Sequence, residues 1–320
     1  MKDELLERFF NGETLAASKV MSLVEAGGED AENILASLYT HTGRANRVAL
    51  TGGTGSGKST LAGALSRHYR AANKTVGVIA EDPTSPFTGG AILGDRIRIH
   101  RTSGDEGVFV RSIASRGSQT GFSTTAAELV DVLDAFGRDV ILLETIGIGQ
   151  LEHRIRHAAD TTVVVMTPES GDEVQALKSG LMEVGDVFVV NKSDRPHADA
   201  FLRDVATTLE LRGEGTDWQP PVVATVATGE EGIEDLVRAI AAHRSFLEDG
   251  ERLQRRRHEG MRQRIRALAE EKLSGAFWGN RYIDGHFDGI FDDVISGQLS
   301  PHGAAAKLVK VFVECGKKPQ

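Results

Sequence analysis

The stretch Gly52-Gly53-Thr54-Gly55-Ser56-Gly57-Lys58-Ser59 follows the short apolar run Val48–Leu50 and precedes a segment of helical spacing, Ser59–Ala72. A strand, a glycine-rich turn ending in Gly-Lys-Ser, and a helix, in that order, predict a cradle for phosphate groups. Glycines let successive backbone N–H groups converge on an anion without a Cβ in the way, and the helix N-terminus adds the positive end of its dipole. On this reading Gly53, Gly55, Ser56, Gly57, Lys58, Ser59 and Thr60 hold the phosphates of a nucleotide. Lys58 reaches the β- and γ-phosphates, and the Ser59 hydroxyl ligates Mg²⁺.

Further runs of the same apolar texture follow at Val76–Ala80, Val108–Val110, Val140–Leu143, Thr162–Met166, Val187–Val190 and Val222–Val226. Continuous apolar runs suit strands buried on both faces, and segments such as Ser123–Phe136 between them have the length of crossover helices. The predicted fold class is therefore α/β: a P-loop NTPase with a mostly parallel, doubly wound sheet and helical extensions at both ends. Residues 45–247 form the nucleotide-binding domain, 1–44 an N-terminal helical extension broken at Gly27 and Gly28, and 248–320 a C-terminal helical region.

Two further motifs sit where such a sheet puts ligands. Asn191-Lys192-Ser193-Asp194 follows directly on Val187–Val190. A carboxylate at Asp194 accepts from both N1–H and the exocyclic amine of guanine, whereas adenine would set a lone pair against it. Asn191 ties this loop to the phosphate cradle or to the base edge, and the Lys192 stem covers the purine. GTP is expected over ATP, and Ala227, just past the last run, joins the nucleotide-binding residues. Glu144-Thr145-Ile146-Gly147 closes Val140–Leu143: Glu144 is placed to hold Mg²⁺ directly or through water, and Gly147 to meet the γ-phosphate.

These residues carry a family resemblance. Glu81-Asp82-Pro83-Thr84-Ser85, the run Thr88 to Arg96, Glu144 to Gln150, and Gly171 to Lys178 resemble the ArgK/MeaB family of GTPases, which includes the methylmalonic aciduria type A protein. The resemblance runs from about Leu15 to His243. It implies a chaperone that gates cobalamin loading, or protects the cofactor, of an adenosylcobalamin-dependent acyl-CoA mutase. The client would be methylmalonyl-CoA mutase or a relative such as 2-hydroxyisobutyryl-CoA mutase, with an adenosyltransferase as a further partner. It also implies that Asp82 and Asp95 join Ser59 and Glu144 around Mg²⁺. Gln175 and Lys178, which share a helix face at their spacing of three, would lie in a nucleotide-sensitive switch; a solvated helix pair is the alternative. Two segments depart from the family pattern, Gly149-Gln150-Leu151-Glu152 and Thr167 to Asp172, and both bear on the partner and not on the nucleotide cradle.

Catalysis falls to Lys58, Glu144 and Gln150. Ile148 stands where Ras-like proteins carry a water-positioning glutamine, and Gln150 comes two residues later. Slow hydrolysis that a partner accelerates is expected. The arginines Arg252, Arg255, Arg256, Arg257, Arg262, Arg264 and Arg266 predict a solvated basic helix, which by resemblance belongs to a homodimer arm.

The bulk composition narrows the classes. The 320 residues carry a net charge of −9, against general nucleic-acid binding. A lone cysteine, Cys315, excludes a disulfide or paired-cysteine metal site within the sequence. No run approaches the roughly 18 apolar residues of a membrane span, and a cytoplasmic protein is expected. Three other classes fit less well. A nickel-insertion GTPase wants a His-rich tract, a signal-recognition GTPase a Met-rich groove, and a small-molecule kinase would more often read ATP.

Overall fold

The computed structural model describes residues 2–82, 105–114, 124–145, 152–168, 181–212 and 217–315. Every one of the seven apolar runs is a strand: β1 (Asn46–Gly52), β2 (Val76–Asp82), β3 (Val108–Ala114), β4 (Val140–Glu144), β5 (Thr161–Met166), β6 (Val187–Asn191) and β7 (Val222–Thr225). They form one sheet in the order β3-β2-β4-β1-β5-β6-β7, and every pairing is parallel. The helices are α1 (Lys2–Phe10), α2 (Thr14–Ala26), α3 (Glu29–Leu38), α4 (Lys58–Ala71), α5 (Thr124–Ala135), α6 (Glu152–Ala158), α7 (Leu181–Val184), α8 (Ala198–Arg212), α9 (Ile233–Glu248), α10 (Arg252–Trp278), α11 (Arg281–Ile295) and α12 (Pro301–Cys315).

Side chains alternate across a strand, so each strand feeds two cores. Ile79, Ile141 and Leu143 meet Phe9, Met21, Leu38, Leu129 and Leu133 of α1, α2, α3 and α5 on one face. Val78, Leu142, Leu50 and Val165 meet Leu61, Leu65, Leu236 and Ile240 of α4 and α9 on the other. The N-terminal helices thus cover one face of the sheet. Their chain breaks where expected, at Gly27 and Gly28 (φ 73° and 83°), and also at Gly12 (φ 83°), where Arg8 pairs with Glu13 at 2.7 Å.

The chain divides into two compact units, Met1–Met261 and Arg262–Gln320. In the second, Ile283 and Ile290 of α11 pack with Ala304 and Leu308 of α12. Its surface carries exposed Trp278, Tyr282, Phe291 and Ile295.

The first ten residues of α10 belong to the first unit, and here the expectation of a solvated basic helix fails. Arg256 makes two hydrogen bonds to the buried Asp186 carboxylate (2.9 and 2.6 Å), and Arg257 makes two to the buried Asp160 (2.8 and 2.7 Å). Arg257 also donates to the carbonyls of Gly43 and Ala45. The acids stand immediately before β5 and β6, so the root of α10 is pinned to the N-terminal edge of the sheet. The pattern of arginines alone could not reveal acids that lie 70 and 97 residues away in sequence.

Candidate functional site

At the opposite, C-terminal edge, β1 lies between β4 and β5, the kind of crevice in which open α/β sheets bind ligands. The loop Gly53–Gly57 crosses it and delivers the chain into α4. The backbone requires glycine at two points. Gly52 (φ 142°) passes so close to Val165 of β5 that a Cβ would overlap its carbonyl, and a Cβ on Gly57 (φ 94°) would overlap the Asn191 amide. Ser56 N–H donates to the Gly53 carbonyl at 3.2 Å, closing the turn.

Lys58, buried at the start of α4, folds over this loop: its Nζ donates to the Gly52 and Gly53 carbonyls at 3.0 Å each. Ser59, one residue on, donates its hydroxyl hydrogen to Glu144 Oε1. The register explains the meeting, since Leu50 of β1 pairs with Glu144 of β4 and puts both strand ends at one level. Thr145 N–H extends the pairing to the Leu50 carbonyl at 3.2 Å.

Asn191, the last residue of β6, is 3% exposed and uses its whole amide. Its Nδ2 donates to the Ser56 carbonyl at 2.8 Å, while Oδ1 accepts from Thr225 Oγ1 at 3.1 Å and from Ala227 N–H at 3.2 Å. Of the two roles open to Asn191 in the sequence, the tie to the phosphate loop is the one made. After it Lys192 adopts φ 58°, a left-handed turn that is fixed by two bonds from Ser193, N–H and Oγ, to the Thr225 carbonyl at 3.0 and 3.1 Å. Lys192 is half-buried and Asp194 is exposed at the tip of this turn.

The structure therefore brings Gly53, Gly55, Ser56, Gly57, Lys58, Ser59, Thr60, Glu144, Asn191, Lys192, Asp194 and Ala227 to one edge of the sheet. Of Asp82 only the backbone is described, as the last residue of β2, two strands from β1. Asp95, Gly147, Gln150, Gln175 and Lys178 lie outside the described residues. Thr225 escaped the sequence reading. It ends a four-residue strand, and nothing local distinguishes its hydroxyl, which is fully buried against Asn191.

Among the described residues no cluster of three or more His, Cys, Asp or Glu could hold a metal ion. Two hard oxygen donors, Ser59 Oγ and Glu144, nonetheless converge at the mouth of the loop. This set fits Mg²⁺, which takes few protein oxygens and completes its shell with phosphate and water.

A family model described as methylmalonyl-CoA mutase-associated GTPase MeaB matches residues 17–282. The chain belongs to this family. Two relatives named as GTPases match it nearly end to end. A protein of Pyrococcus abyssi named as a GTPase is 42% identical over 100% of this chain and 99% of its own length. GTPase ArgK of Escherichia coli is 32% identical over 95% of each. The mouse protein named methylmalonic aciduria type A homolog, mitochondrial, is 31% identical over 83% of this chain and 65% of its own. A crystal structure named LAO/AO transport system kinase superposes with a TM-score of 0.74 at 26% identity, covering 98% of this chain and 97% of its own. The resemblance to the ArgK/MeaB family, the parallel P-loop fold and the GTPase activity are thereby borne out. No helix among the described residues is long and apolar enough to cross a membrane.

Proposed function

We propose that this MeaB-family GTPase is a nucleotide-gated chaperone of an adenosylcobalamin-dependent acyl-CoA mutase, controlling cofactor loading or protecting the loaded enzyme. What carries this reading is the match of a mutase-associated GTPase family over residues 17–282, from the N-terminal helices into α11.

Guanine is read by Asp194, presented on the turn that Lys192 and Ser193 fix, and the phosphates lie along Gly53–Thr60. Lys58 exchanges its two loop carbonyls for β- and γ-phosphate oxygens, an exchange of neutral acceptors for charged ones and so a stronger set of bonds. Ser59 and Glu144 would hold Mg²⁺, which would supply positive charge against the charge that develops in the reaction. Ser59 and Glu144 suit it: with the hydroxyl hydrogen turned to the carboxylate, the Ser59 lone pairs are free to face a cation, the second-shell arrangement that orients a ligand. In the reaction a water oxygen attacks the γ-phosphorus, the bond to the β–γ bridging oxygen breaks, and GDP leaves with inorganic phosphate. Lys58 and Glu144 supply charge balance. Gln150 is the candidate to position the water, and binding of a mutase makes hydrolysis faster. The loss or gain of one such group is worth about 10³–10⁵ in rate.

The exposed apolar residues of the second unit favour a homodimer formed through the C-terminal helices, and the chain is expected to work in the cytoplasm. An adenosyltransferase is a second candidate partner. Titration with GTP, GDP and ATP, with and without a panel of B12-dependent mutases, tests the reading. Guanine selectivity with hydrolysis stimulated by one mutase supports it. Fast turnover by the protein alone, or no binding to any mutase of the panel, counts against it. The name of the crystal structure that superposes keeps a second reading in view, transfer of the γ-phosphate to a small molecule. Phosphate appearing on an acceptor and not in water would favour that one.

A further inference from the structure

Among the described residues, the largely buried arginines of the first unit have carboxylates, with one exception. Arg47 has Asp131 and Asp134, Arg111 has Glu25, Arg244 and Arg257 share Asp160, and Arg256 has Asp186. Arg138, in the turn between α5 and β4, is 9% exposed and makes no ion pair among the described residues. Its Nε is buried without an acceptor. The guanidinium lies 4.8 Å over the Phe136 ring, which packs in turn on Phe9 and Phe109.

The neighbouring acids are turned elsewhere. Asp139 accepts from Thr75 N–H and Oγ1 at 2.7 and 2.9 Å and faces Lys74 at 3.6 Å; Asp105 accepts from Arg70 at 2.8 Å. Arg70, Lys74 and Arg138 thus stand against two carboxylates, and each carboxylate already has a cation. A buried guanidinium whose Nε–H has no acceptor is unfavourable unless something anionic meets it. Burial, reinforced by the charge of Arg70, lowers the Arg138 pKa, and the nearby charge of Asp139 offsets this only in part. Phosphate oxygens and carboxylates match the planar donor fork of arginine.

We propose that Arg138, flanked by Arg70 and Lys74, is a second anion site that takes a small oxyanion such as inorganic phosphate. It lies at the N-terminal ends of β2, β3 and β4, whereas the nucleotide loop lies at the other ends. Along β4 alone, Val140 to Glu144 separates the two edges by about 13 Å.

The test is done with GDP and Mg²⁺ saturating the nucleotide loop, so that added anion cannot act there. Phosphate, sulfate and acetate are titrated against chloride at matched ionic strength, following Tm and the Nε–H resonance of Arg138 in ¹⁵N-arginine-labelled protein. At ten times its Kd a bound oxyanion should raise Tm by about 2–3 °C. The Nε–H signal should shift and exchange more slowly. In Arg138→Met the anion-dependent rise should vanish, while the variant in chloride melts no lower than the wild type with its anion removed; Arg138→Lys should keep only part of it. A response to phosphate and sulfate but not acetate identifies a phosphate-type ligand, and a response to all three a general oxyanion site. An unmoved Nε–H signal, or a Tm rise that survives in Arg138→Met, overturns the proposal.

Discussion

Asn191→Ala tests the joint between the guanine-reading loop and the phosphate loop. The substitution removes one donor and one twice-used acceptor, and leaves the Ser56 carbonyl, the Thr225 hydroxyl and the Ala227 N–H without their partner. A buried polar group left unpaired costs about 1–3 kcal/mol. The excised amide makes room for water, which can recover part of this, so the low end applies to each group. The sum is about 3 kcal/mol, or roughly 150-fold in an equilibrium constant. Thr225→Val removes one of the two donors to Oδ1 and keeps the shape, and should cost about 1 kcal/mol. In the Asn191→Ala background the same change should cost almost nothing, because its acceptor is already gone; that difference is the coupling. Two assays read this out: the GDP dissociation constant, and exchange of the Ala227 amide hydrogen, whose acceptor is Asn191 itself. Additive effects of the two substitutions, or unchanged Ala227 exchange in Asn191→Ala, would show that the clamp does not act as described.

Three further outcomes are expected. Glu144→Gln keeps the shape of the Ser59 contact but weakens the orientation of its hydroxyl; Mg²⁺-dependent GDP affinity should fall about 10–100-fold while metal-free GDP binding stays, and equal loss in both would remove Glu144 from the metal site. Asp160→Ala leaves Arg257 without a carboxylate and Arg244 with only the exposed Glu248, and should cost about 3–5 kcal/mol in urea unfolding; a change under 1 kcal/mol would mean that water already carries those charges. His243 is held neutral: burial lowers its pKa to about 4, against the pull of Asp186 at 3.5 Å. The unfolded chain gains a proton near pH 6.5 that the folded one refuses until about pH 4. Stability from this group is therefore intact above pH 6.5 and is lost as pH falls toward 4, by about 3 kcal/mol in all. His243→Gln should flatten that part of the pH–stability curve, and an unchanged slope would assign it to other groups.

What the sequence revealed of this protein was local. Gly52 to Ser59 and Asn191 to Asp194 are short, and each chemistry is written in adjacent residues. The strands announced themselves because burial on both faces allows no polar alternation, as in Thr161–Met166, every residue of which is buried. Meetings between distant segments were legible only where ordered motifs implied them, as for Glu144 with Ser59 across 85 residues and Asn191 with the phosphate loop across 135. Those of Arg256 with Asp186 and Arg257 with Asp160 were not. Helix α11 was hidden by Gly285 and Gly289, which lower its intrinsic propensity. It forms because the Asn280 side chain caps it, accepting from Tyr282 N–H at 2.9 Å, and because Ile283 and Ile290 find partners on α12. Asp160 and Asp186 each precede a strand, and nothing beside them in sequence announces an arginine.

The two edges of the sheet separate two kinds of work. At the C-terminal edge, Asn191 and Thr225 join the loops by neutral hydrogen bonds from strand ends. Bonds of this kind contribute about 1 kcal/mol each and can be exchanged for a ligand's. At the N-terminal edge the acids Asp134, Asp160 and Asp186 each meet at least one arginine inside the protein. Burial works against the charge of Asp134, yet Arg47 and the N–H groups of Ala45 and Gly43 hold its pKa below the usual carboxylate range. Such pairs are costly to break singly. They fasten three segments to the base of the sheet: the chain entering β1 at Gly43–Ala45, helix α9 through Arg244, and the root of α10 through Arg256 and Arg257. Nucleotide chemistry can then rearrange loops at one edge without loosening the other. The strands between are rigid and common to both edges, so any signal from the nucleotide must leave through the loops at the C-terminal edge.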